Sequence, residues 1–123
     1  MAKSKIAKAS TVFSCTLLMG MALFHGSGLH YVNELMQQSN SKPFLIDIFP
    51  VLFAHPSIHL LGLAGFGLLT LFMKHEIKKV LFFTSLLVCI DALLAFYLGA
   101  VVPGVLLVFS ALSLVLGAIK TGK

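Results

Sequence analysis

The sequence contains no arginine, and among its 123 residues only two are cysteine and four are acidic. Without arginine there is no planar fork to grip phosphate or carboxylate bidentately, which argues against a nucleotide-handling enzyme. Cys15 and Cys89 each fall inside an apolar stretch and form no C-x-x-C. They read as small hydrophobic packing groups, and oxidoreductase thiol chemistry is disfavoured. Polar chain is equally scarce. With 59% hydrophobic residues and a mean hydropathy of +1.03, these residues leave no room for a soluble catalytic domain beside membrane spans.

What the chain does have is patterned lysine. Eight of its nine lysines form the clusters Lys3/Lys5/Lys8, Lys74/Lys78/Lys79 and Lys120/Lys123, separated by nearly continuous apolar sequence. Positive residues are retained on the cytoplasmic side of a bilayer, so this layout predicts cytoplasmic N and C termini, a cytoplasmic central loop and an even number of spans between clusters. The formal charge of +5 therefore reports orientation. It does not indicate nucleic acid, because no basic stripe is interleaved with aromatics. The pattern fits a bacterial inner membrane, with the lipid bilayer as the first partner.

The lysines ahead of the first apolar stretch raise the question of a cleaved signal peptide. The stretch is long enough to span, and no A-x-A-like exit site follows it, so it is expected to be retained. A lipobox at Cys15 is rejected, since almost no apolar sequence precedes that cysteine.

The expected fold class is an all-α membrane protein. Four transmembrane helices form one up-down-up-down bundle over residues 1–123, with spans at about 10–31, 50–73, 80–99 and 102–119. Residues 32–49, which include Asn33, Glu34, Gln37 and Gln38, are expected as the external loop, with an interfacial piece around Phe44 to Phe53. Pro56 either kinks a longer second span or opens a shorter one. Residues 74–79 make the cytoplasmic loop, and Gly99 with Pro103-Gly104 punctuates the last turn. Gly20, Ala22, Gly26 and Gly28 in the first span, with Gly62, Ala64, Gly65 and Gly67 in the second, predict close approach of those two helices.

Candidate chemistry rests on five histidines and one intramembrane acid. Asp91 lies within the apolar run Leu86 to Leu98. A central aspartate costs roughly 2.5 to 3.5 kcal/mol to insert, so it should face the bundle interior with a partner or be protonated. It reads as a proton-relay or ion-binding residue, or as a hydrogen-bonding tie between helices. His55 and His59 are spaced i, i+4, which places them on one helix face and suits a metal, yet Pro56 and Ser57 exclude the H-E-x-x-H pattern of zinc proteases.

Counting at 1.5 Å per residue puts His25 about 25 Å above Lys8, His59 about 22 Å above Lys74 and Asp91 about 18 Å above Lys79. Allowing for tilt and lysine snorkelling, all three reach one layer in the external half of the membrane, with His55 higher. His30 lies about 140° around the helix from His25 and pairs better with Glu34 at i+4. His75 reads as a solvated loop residue.

Three functions follow. The first is an intramembrane site of His25, His59, Asp91 and His55 that binds a proton or a transition metal ion. The second is a non-catalytic accessory subunit packed against larger membrane partners or its own copies. The third is a haem b anchor with His25 and His59 as axial ligands, against which stands the lack of arginine for the propionates. Two motif-bearing classes of four-span proteins are excluded: the first span has no acid, as small multidrug exporters require, and there are no paired cysteines, as mercury and disulfide carriers require.

Overall fold

The computed structural model describes residues 4–122 and, among them, is entirely helical. In chain order the helices are α1 (Lys5–Ser27), α2 (Leu29–Gln37), α3 (Pro43–Leu69), α4 (Ile77–Tyr97) and α5 (Val101–Lys120). Four helical stretches are long and apolar enough to cross a membrane, α1 and α2 counting together as Lys5–Gln37. Lys3 and Lys123, the outer members of two lysine clusters, lie outside the described residues.

Helix α1 opens on Ser4, whose hydroxyl accepts from the Ala7 N–H at 3.0 Å and donates to the Lys120 carbonyl at 2.9 Å. One side chain thus caps the first helix and fastens it to the end of α5, satisfying an orphan donor and an orphan acceptor together. At Gly28 the helix is interrupted for one residue, but the chain stays near helical geometry there (φ −77°, ψ −10°) and resumes as α2. A Cβ at Gly28 would lie 3.6 Å from the Phe53 ring.

Several sequence expectations change here. Of residues 32–49, most are helical, and non-helical chain is confined to 38–42. The polar residues of this stretch were read as loop, but Glu and Gln are good helix formers, and His30 Nε2 reaches Glu34 Oε1 at 3.2 Å across one helical turn. Helix α3 then starts with Pro43 in its first turn and runs unbroken through Pro50 and Pro56. Proline suits the first turn because no N–H is needed there, while interior prolines are tolerated in apolar helices when neighbouring groups satisfy the released carbonyls. Pro56 therefore lies inside a longer helix, and no separate interfacial piece forms. At the other end α3 stops at Leu69, and Pro103-Gly104 belongs to the first turns of α5 rather than to the connection before it.

The helices form a ring in the order α3, α1, α5, α4, with α3 touching α4 only sparsely. Residues early in α1 meet residues late in α5. Ser14 donates to the Ser110 carbonyl at 3.0 Å, and a Cβ on Gly117 would lie 2.8 Å from Thr11 Oγ1. Ser85 of α4 likewise donates to the Ala111 carbonyl of α5 at 3.0 Å. In lipid, close backbone approach and hydrogen bonds of this kind hold helices together, since expulsion of water does not.

Between α1 and α3 the small residues act as expected at two points. A Cβ on Gly67 would fall 2.5 Å from Cys15 Sγ, and one on Gly26 would fall 3.4 Å from Ser57 Oγ. Gly20, Gly62 and Gly65 face open space. Cys15 is buried and Cys89 exposed, and neither is in a disulfide. The fully buried side chains Leu18, Leu81, Val88 and Leu114 pack into one core.

Candidate functional site

Beside His59 and Asp91 the bundle is hollow. A cavity of about 1150 Å³ is lined by all four long helices, from Phe13 to Gly28 on α1, Phe53 to Leu60 on α3, Asp91 to Leu98 on α4, and Val102 to Leu107 on α5. Several of its wall residues, among them Gly20, Phe24, His55 and Leu98, are exposed, so it opens at the protein surface. A smaller recess of about 370 Å³ lies between α3 and α4 nearer the lysines. The smaller void lies along the sparsely packed α3/α4 seam.

Four titratable side chains stand on the wall of the large cavity: His25 from α1, His55 and His59 from α3, and Asp91 from α4. Helix α5 contributes none. His59 Nε2 lies 3.1 Å from Asp91 Oδ2, joining α3 to α4 across their seam, with 39% of the His59 and 21% of the Asp91 side chain exposed. Apart from this contact with His59, buried Oδ2 has no hydrogen-bond partner among the described residues. The contact is an ion pair with one acceptor position left over.

His55 supports the pair from one turn away. Its ring lies parallel to that of His59, with centroids 6.2 Å apart and planes 8° from each other. The i, i+4 spacing survives Pro56 because α3 remains helical there. His25 is placed differently. Its Nδ1 shares a 3.0 Å hydrogen bond with Ser57 Oγ, and its ring stacks on Phe53 at 4.3 Å. It faces the same cavity as the pair but is held in its own polar and aromatic contacts.

The four proposed metal ligands therefore share a cavity without converging on a point. Among the described residues no group of three or more His, Cys, Asp or Glu is arranged to hold a metal ion. Two donors meet, a third stands beside them, and the fourth is turned to Ser57. The outlying histidines stand apart from the cavity: His30 pairs with Glu34, and His75 is exposed in the turn before α4.

Sequence reasoning passed over Ser57, whose hydroxyl orients His25, and over Ser14, Ser85 and Ser110, which join α1 and α4 to α5. The available signal was a hydroxyl in the middle of an apolar span, where a neighbouring helix is the natural partner. No family model, curated protein or solved structure matches the chain. Four apolar helices make it compatible with a small integral membrane protein.

Proposed function

We propose that this is a small polytopic membrane protein in which the His59–Asp91 pair forms an intramembrane proton-binding site. The observation that carries this reading is the 3.1 Å contact between imidazole and carboxylate on the wall of a cavity within an apolar bundle. An intramembrane acid is costly and persists where it has a partner and a task. One proton held between the two groups leaves the pair neutral overall, either as imidazole with carboxylic acid or as imidazolium with carboxylate. That state suits an apolar wall, whereas losing the proton leaves one uncompensated negative charge.

A proton is better supported than a metal ion, because no third donor converges on the pair. In the bilayer we place the helices up-down-up-down, with both termini and the turn before α4 cytoplasmic and the cavity in the external half. The lysine distribution supports this orientation, and a bacterial inner membrane is the setting it fits.

Infrared difference spectroscopy of purified protein across pH tests the site. A protonated-carboxyl band should grow as pH falls, vanish in Asp91→Asn and shift in His59→Ala. If wild type and Asp91→Asn give the same carboxyl bands at every pH, the reading is wrong.

A further inference from the structure

We propose that the large cavity binds a lipophilic organic monocation, which enters as the proton leaves the His59–Asp91 pair. This rests on the proton site proposed above and adds its ligand class.

Size comes first. At about 1150 Å³ the cavity is at the upper end for small-molecule sites, far beyond what a proton or a bare ion requires. Its walls are almost wholly apolar, built from side chains such as Leu17, Met21, Leu60, Leu94 and Leu106, so the occupant must be apolar over most of its surface.

Charge comes second. The wall carries one acid and three histidines but no lysine. Its only permanent bias is therefore toward a positive ligand once the shared proton has gone. Apart from the His59 contact, buried Oδ2 of Asp91 lacks a hydrogen-bond donor, and a cation beside the carboxylate would replace the proton's charge one for one. Phe13 and Phe24 add aromatic rings, whose faces attract cations and not anions.

Access comes third. Exposed wall residues such as Phe24 and Leu98 open the cavity at the side of the bundle, where an ion already partitioned into lipid would meet it. Cation and proton then compete for one charge position. Apparent cation affinity should rise about tenfold per pH unit while the pair still holds its proton, and level off once the proton is lost.

The test uses two probes of the same shape and opposite charge, tetraphenylphosphonium and tetraphenylborate, titrated calorimetrically into detergent-purified protein against empty micelles. Wild type should bind the phosphonium with the stated pH dependence and release of protons to the buffer, and should bind the borate at least tenfold more weakly. Asp91→Asn should lose the pH dependence and most of the phosphonium affinity.

Gly20→Leu guards against misfolding of that variant. Gly20 lines the cavity with nothing within 4 Å of a Cβ, so leucine there fills space without a clash and leaves Asp91 in place. It should abolish phosphonium binding and keep the infrared carboxyl signal. Equal binding of both ions, no binding of either, or phosphonium binding that survives both substitutions overturns the proposal. A pH-dependent Asp91 carboxyl band without phosphonium binding removes the ligand but leaves the proton site, whereas loss of that band removes both.

Discussion

Towards the lysine-bearing ends of the bundle, glycines and serine hydroxyls draw the helices together around Leu81 and Leu114, whereas beside His59 and Asp91 the same four helices part around a cavity of about 1150 Å³. The residues differ accordingly. The packed region joins α1 to α5 and α4 to α5 through Ser14, Ser110 and Ser85, all nearly or fully buried. The hollow region holds the bulky Phe24, Phe53 and Leu98 with the titratable groups, and the seam between α3 and α4 is bridged there by His59 and Asp91. The titratable groups thus gather where the helices part, although Ala22, Leu60, Ala92 and Leu107 continue the buried core to that level.

The sharpest way to break that division is Asp91→Leu. It should abolish proton binding while changing the stability of the solubilised protein by no more than about 0.6 kcal/mol, the usual worth of a polar contact between helices in lipid. Thermal unfolding followed by circular dichroism measures the second effect, and a larger loss of stability would show that the pair is a structural tie. Next comes a contrast between leucines. Leu114→Ala, at a site with 0% exposure, should cost about 2 kcal/mol, the low end for such changes, since lipid already surrounds the separated helix and only packing is lost. Leu94→Ala, 54% exposed on the cavity rim, should stay within about 0.5 kcal/mol in the same unfolding experiment.

A smaller effect is expected at Glu76, the non-glycine residue with positive φ among the described residues, at 60°. Glu76→Gly should relieve about 1 kcal/mol of left-handed backbone strain, offset in part by loss of the exposed Lys79 contact at 2.6 Å. A modest rise in melting temperature, suppressed at low salt, is the outcome to look for. Ser14→Ala deletes a hydroxyl that joins α1 to α5 and should likewise cost only about 0.6 kcal/mol. A loss several times larger would mean that the serine contacts, and not the leucines, hold these helices together.

Much of this arrangement was legible in the sequence, for identifiable reasons. Helical rise is nearly constant, so counting from the lysines put His59 and Asp91 in one layer, and the two do meet at 3.1 Å. The i, i+4 rule likewise anticipated the His30–Glu34 contact. Polarity does not make residues 32–49 non-helical as a whole, because a polar segment with good helix formers such as Glu34 and Gln37 remains a helix. Sequence leaves open whether Pro56 lies inside a longer helix or opens a shorter one, and α3 runs through it. The cavity had no sequence signal at all. Its volume depends on how far α3 and α4 diverge, a property of the whole bundle that no residue type encodes. His25 does share the cavity wall with His59 and Asp91, but its hydrogen bond to Ser57 and its stacking on Phe53 depend on rotation about the helix axis, which depth counting ignores.

The contact between Ser14 and Ser110 links positions 96 apart in the chain. During synthesis α1 must therefore wait in the bilayer, with the Ser14 hydroxyl facing lipid or a temporary partner, until α5 has been inserted beside it. Pairs of helices adjacent in sequence can dock earlier, but the ring closes only at that late encounter, and long-range closure of this kind is slow. The interval leaves the unpaired faces of α1 open to any other helix in the membrane, which makes the order of helix insertion as much a determinant of correct assembly as the final packing.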